Sequence, residues 1–246
     1  MNKLELKNIY KRYNNQDKYV LEDVKFSVLN GEFVAIMGRS GSGKTTLLNV
    51  ISTIDKINNG NILFGDIDIT KLTDKESSEF RKNELGFVFQ DYMLLDSLTV
   101  RENIAVALSL KDKNKKEIDF LINKYTKQFG IYEHLDKYPY QLSGGQKQRV
   151  SIIRAIIKNP LILFADEPTG ALDSLSSKDI METFKKINKE LGVTILMVTH
   201  DVVSASYSDR VILLKDGKIE KEIYKKNKFF YEEISNSLSD LKNLNL

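Results

Sequence analysis

The chain has 246 residues, 41% hydrophobic and 29% charged, with a formal net charge of +3. That length suits one large α/β domain with a sizeable core, and a charge so near neutrality gives no argument for a nucleic-acid or membrane-surface partner. Having no cysteine excludes a disulfide framework and a thiolate metal site, and having only two histidines, His134 and His200, disfavours a zinc cluster.

Residues 4–9 and 20–28 alternate like half-buried strands, separated by the polar stretch 11–18. Residues 32–37 form a short apolar run that ends at a glycine-rich turn, and 44–54 then read as a helix. Residues 61–64 and 85–89 are further strand candidates. From residue 91 to about 159 the pattern turns helical, over 98–108, 117–129 and 144–158, the last closed off near Pro160. In the second of these helices Ile118, Leu121, Ile122, Tyr125 and Phe129 share a face. Strand character returns at 161–165, 193–198 and 210–214, around a helical stretch at 176–191. In the tail, residues 225–246, Phe230, Ile234, Leu238 and Leu241 fall on one helical face, which either packs back on its own domain or receives a partner.

This order predicts one domain over 1–246: an α/β core from 1–90 and 160–222, a helical insertion at 91–159 and a helical tail at 223–246. No apolar run approaches the ~18 residues needed to cross a bilayer. The opening residues lack the apolar stretch of a secretory signal. The expectation is a protein kept in the cytoplasm that meets a membrane only through another chain.

Gly38-Arg39-Ser40-Gly41-Ser42-Gly43-Lys44-Thr45 has the spacing G-x-x-x-x-G-K-[ST], placed between a strand and a helix. Glycines let successive backbone N–H groups turn inward onto phosphate oxygens, and the helix behind them directs its positive end at the same anion. Lys44 would reach the β- and γ-phosphates and the Thr45 hydroxyl would ligate Mg²⁺, with Thr46 next in the same cradle. Residues 161–167 form a buried-strand run ending in Asp166 and Glu167. At the carboxyl edge of a parallel sheet Asp166 could hold Mg²⁺, and Glu167 could polarise the water that attacks the γ-phosphate. Ser143, Gly144, Gly145 and Gln146 open the helix at 144–158 and read as a second anion site, a serine cap on exposed N–H groups. Two phosphate-recognising helix ends with one metal site suggest ends supplied by different copies of the molecule.

Leu142-Ser143-Gly144-Gly145-Gln146, lying shortly before a strand that ends in Asp166-Glu167, resembles the signature of ABC-type ATPase domains. The resemblance implies an α/β P-loop NTPase (ABC-type ATPase) core with N-terminal antiparallel β strands and a helical insertion subdomain. Tyr13 matches the aromatic that stacks on adenine. Gln90 matches the loop glutamine that senses Mg²⁺ and the attacking water. Asp173 matches the loop that touches the opposite subunit, and His200 the histidine that contacts the γ-phosphate. By the same resemblance Lys44, Gln90, Glu167 and His200 are catalytic, Thr45, Gln90 and Asp166 hold the metal, and MgATP is sandwiched in a head-to-tail dimer.

Residues 47–55, 89–96, 170–174, 198–201 with 205–207, and Phe229-Phe230 also resemble the Bce-type ATPases of antimicrobial-peptide resistance. That implies an integral membrane permease as partner, a place at the cytoplasmic face of the membrane, and a sensor histidine kinase reached through the permease. The permease would sit in a groove beside Gln90, on Tyr92, Met93, Leu94 and Leu95. Macrolide-efflux, lipoprotein-release and cell-division ATPases share most of these motifs. Non-transport ABC ATPases usually carry a long coiled-coil insertion or tandem ATPase domains, and this chain has one motif set and no extended heptads.

Overall fold

A computed structural model describes residues 2–13, 17–109 and 114–243. Its frame is a parallel sheet made of five short strands: β3 (Phe33–Met37), β6 (Leu85–Phe89), β7 (Ile162–Asp166), β8 (Thr194–Val198) and β9 (Arg210–Lys215). They lie in the order β9-β3-β8-β7-β6, and β10 (Lys218–Tyr224) adds an antiparallel edge beside β9. These strands read as continuous apolar runs because both of their faces are covered. Val34, Ile36, Phe164, Leu196 and Ile212 point into one core, and Ala35, Met37, Leu163, Met197 and Leu213 into the other.

The first core is closed by a second, antiparallel sheet and by helix α1 (Lys44–Ile51). That sheet has the order β2-β1-β4-β5, from β1 (Asn2–Lys11), β2 (Leu21–Leu29), β4 (Asn59–Phe64) and β5 (Ile67–Asp68). The second core is covered by helices: α3 (Val100–Ser109), α4 (Lys115–Gln128), α5 (Gly144–Ile156), α6 (Ser174–Leu191) and α8 (Phe230–Asn243). Helices α2 (Asp74–Glu84) and α7 (Val202–Ala205) complete the chain.

Three local results differ from the sequence reading. Helix α1 stops at Ile51, because Thr53 takes a φ of +60°, which an L β-branched residue adopts only under tertiary constraint, and the Ile54 and Asp55 N–H groups turn back onto the Asn49 carbonyl. Helix α2 and strand β10 were not anticipated. The tail question is answered: Phe230 and Ile234 are buried and Leu238 packs on the same core, so α8 lies against its own domain. The side chain of Leu241 lies outside the described part of the structure, as do residues 14–16 of the polar stretch.

Candidate active site

Strand register brings the motif residues to one edge. Asp166, the last residue of β7, pairs with Phe89 on β6 and Val198 on β8, and Val198 in turn pairs with Ile36 on β3. The segments leaving these strands, starting at Gly38, Gln90, Glu167 and Thr199, therefore emerge side by side at the carboxyl edge, where open α/β sheets bind ligands. A cleft of about 670 Å³ opens there, lined by Gly38–Gly41, Gly43–Thr46, Asp166, Glu167, Val198 and His200, with Val20 from the antiparallel layer.

The glycine loop is held from behind. The Gly217 N–H donates to the Ser42 carbonyl at 3.1 Å. Gly43 takes a φ of +99° with the Val20 carbonyl where a Cβ would sit, so no larger residue fits without strain. Helix α1 starts at Gly43 with no side-chain cap and no acidic residue in its first turn. Its first N–H groups are unsatisfied by the helix and carry the positive end of its dipole. Lys44 folds back to donate to the carbonyls of Gly38 and Arg39, both at 2.8 Å. Burial lowers its ammonium below the ordinary lysine value, against the attraction of Glu167 and Asp166.

The two acids face that lysine. Burial pushes the Asp166 carboxyl above the ordinary aspartate value, and the neighbouring Glu167 charge adds to the rise while Lys44 opposes it. Glu167 has a φ of +46°, a conformation costly for a glutamate, and its N–H donates to the Val198 carbonyl at 2.9 Å. The side chain is thereby turned toward His200, whose Nδ1–H donates to Glu167 Oε1 at 2.9 Å.

Other motif residues stand around the cleft. The Tyr13 hydroxyl is 3.4 Å from Thr46 Oγ1, at its edge. Gln90 is exposed and packs against Gly170, where a Cβ would come 2.9 Å from the Gln90 amide carbon. Ser143–Gln146 and Asp173 do not line the cleft. Ser143 caps α5, accepting from the Gln146 N–H at 3.3 Å, while the Gln146 side-chain oxygen accepts from the Ser143 N–H at 2.9 Å. Gln146 also meets His134 at 3.0 Å. Asp173 caps α6, accepting from the Ser176 N–H at 2.9 Å, and the bonds from Ser176 hold its carboxyl below the ordinary value.

Sequence reasoning missed the supports. Arg154 on α5 donates to the carbonyls of Met93 and Tyr92 at 2.5 and 2.9 Å, fixing a turn in which both residues have positive φ. Gln148, fully buried, donates to the carbonyls of Pro168 and Phe89 at 2.6 and 3.3 Å, tying the segments after β6 and β7 together. Their position on the helix opened by Ser143 was the available signal. Gly144 completes the link, since a Cβ there would meet the Tyr92 hydroxyl and Leu172 at 2.9 Å.

A glycine-rich phosphate loop, two acids and a histidine on this sheet define a P-loop ATPase of the ABC class. The family model described as "ABC transporter" matches residues 21–170, and the chain belongs to that family. It is similar to the bacitracin export ATP-binding protein BceA of Halalkalibacterium halodurans, at 51% identity over 224 residues, which are 90% of this chain and 88% of that one. It is also similar to the ABC transporter ATP-binding protein YxdL of Bacillus subtilis, at 47% identity over 243 residues, 98% of this chain and 95% of that one. Among solved structures it resembles the dimeric post-hydrolysis state of the ATP-binding cassette MJ0796 of Methanocaldococcus jannaschii, bound to ADP and Pi. There the TM-score is 0.81 at 39% identity, covering 91% of this chain and 99% of that one. Among the described residues no helix is long and apolar enough to cross a membrane.

Proposed function

We propose that two copies of this ATPase clasp two ATP molecules head to tail and drive a separate membrane permease of the antimicrobial-peptide-resistance type. One observation carries this reading: Lys44, Asp166, Glu167 and His200 share a cleft or its rim, while the Ser143–Gln146 helix end does not line it. The Ser143 hydroxyl spends an acceptor lone pair on the Gln146 N–H and keeps its own proton to give. A phosphate held by another copy is a fitting acceptor for it. That a 39% identical cassette is solved as a dimer with ADP and Pi supports the arrangement.

In this mechanism the open N–H groups of α1 and the Lys44 ammonium, released from the Gly38 and Arg39 carbonyls, bind the β- and γ-phosphates. Tyr13 stacks on the adenine at the cleft edge. Glu167 accepts the proton of the attacking water, and His200 keeps its carboxylate aimed at the cleft and reaches the γ-phosphate. Asp173 serves the subunit contact. Thr45 and Asp166 offer hard oxygen donors to Mg²⁺, and a buried carboxylate that Lys44 neutralises only in part is suited to a divalent cation. Bound there, such a cation would offset the negative charge of the phosphate groups. Gln90, on the adjoining segment, is the further proposed ligand and the link to the helical region.

Hydrolysis removes the phosphate that joins the two surfaces, and the difference in affinity between the ATP and ADP states for the closed dimer is the work available. The permease docks beside Gln90, where Met93 and Leu95 are 56% and 50% exposed on a turn bolted to α5 by Arg154. On this reading the chain works at the cytoplasmic face of the membrane, with a sensor histidine kinase reached through the permease. The bacitracin-export name of the 51% identical relative supports the peptide-resistance reading.

The test is Glu167→Gln with MgATP. Nucleotide binding is retained, turnover falls about 100-fold or more, the chain elutes as a dimer, and tagged protein drawn from native membranes brings a permease with it. Undiminished hydrolysis by a monomer that brings no membrane protein would refute the reading.

A further inference from the structure

Tyr13 rests on a buried cation. Lys11, only 7% exposed at the end of β1, has its Nζ 4.7 Å from the centre of the Tyr13 ring. The same ammonium donates to Asp55 Oδ1 and to the Lys56 carbonyl, both at 2.7 Å. Two further bonds tie the two segments of this contact: the Arg12 N–H to Asn58 Oδ1 at 2.6 Å and the Asn58 N–H to the Tyr10 carbonyl at 2.9 Å. Asp55 in turn hangs from α1, its N–H donating to the Asn49 carbonyl at 3.1 Å. The helix whose N-terminus opens the phosphate loop thus carries, at its other end, the anchor of the Tyr13 ring.

An ion pair that buries its lysine and half-buries its aspartate is a poor way merely to hold two segments together, since apolar residues of the same volume do so as well or better. A cation behind an aromatic ring does something apolar residues cannot. It fixes the ring by attraction to its face and draws electron density from it, while Tyr13 as a whole stays 40% exposed. We propose that Lys11, anchored by Asp55, is a positioning residue for the nucleobase, holding Tyr13 as a purine platform at a set distance from the phosphate loop.

This inference rests on Tyr13 as the base platform. It is tested by steady-state hydrolysis in the dimer-forming chain, with inorganic tripolyphosphate as a competitive inhibitor that has no base. Lys11→Met raises KM for ATP about three- to tenfold and leaves kcat within about twofold, with inhibition by tripolyphosphate unchanged. Lys11→Arg restores KM, and in a Tyr13→Leu background Lys11→Met adds nothing. Asp55→Asn, which keeps the side-chain shape, gives the same pattern and serves if Lys11→Met folds poorly. An unchanged KM in Lys11→Met or Asp55→Asn overturns the inference, as does an equal loss of tripolyphosphate binding, which would mean a distorted phosphate loop. If Tyr13→Leu itself leaves KM unchanged, the platform reading fails, and that outcome is separate from a failure of the Lys11 strut alone.

Discussion

Two helix N-termini in this molecule are finished in opposite ways. Helix α1 opens at a left-handed glycine with no side-chain cap, no acid in its first turn and a lysine curled onto nearby carbonyls. Helix α5 opens at Ser143 with a complete capping box, and Gln146 is further held by His134. The first end is left unsatisfied by its own chain, at a cost in stability, and is therefore available to an anion. The second is already stable and has little left to offer beyond one hydroxyl proton and the N–H groups around it. A site assembled from both would be bound first by α1 and completed by α5.

That contrast can be broken by changing either end. The largest effect belongs to Asp166→Asn beside the α1 terminus: turnover falls about 100-fold or more, while the nucleotide-free chain becomes more stable. The sign follows from the raised carboxyl value of Asp166. Because the folded state binds that proton more tightly than the unfolded chain, stability drops as pH rises from the ordinary aspartate value through the raised one, and stays lower above it. Asparagine is exempt from this loss. Thermal melts at about pH 4, near the ordinary aspartate value, and at about pH 7, well above it, check this, and an Asn variant less stable than wild type at the higher pH would contradict the burial argument.

A smaller, two-part effect is expected at Ser143→Ala. Loss of the cap costs about 1 kcal/mol, which lowers Tm by roughly 2–4 °C for a chain of this size. Nucleotide binding to the monomer is unaffected, yet turnover falls by more than the stability change explains. If turnover tracks wild type once folding is allowed for, Ser143 is a helix cap and nothing else.

The parts of this molecule that the sequence displays are those with a period or a fixed spacing. Strands covered on both faces read as apolar runs, and the strand–glycine loop–helix unit reads from eight consecutive residues, Gly38–Thr45. Helix α2 did not show because it has almost no buried face; only Ser77 and Phe80 are buried. Its readable sign was Thr73 three residues before Glu76, a pair that does form a capping box. Strand β10 is a sheet edge with mostly polar residues, so it lacked the apolar run of its neighbours. Lys11 lay in a polar stretch, and nothing local announces its burial, because its partner Asp55 is 44 residues away. Spacing also orders Gln90, Ser143 and Asp173 along the chain without saying whether one copy's cleft contains them. Only the register of the strands and the path of the segments after them answer that.

The chain has no cysteine of its own, which makes a cross-link unambiguous. Ser40→Cys in the phosphate loop together with Ser143→Cys, in the Glu167→Gln background, puts the central claim to the most direct test. With MgATP and an oxidant the account expects a disulfide-linked dimer on a non-reducing gel, absent without nucleotide. A chain that stays monomeric, or that links equally well with no nucleotide present, would contradict it.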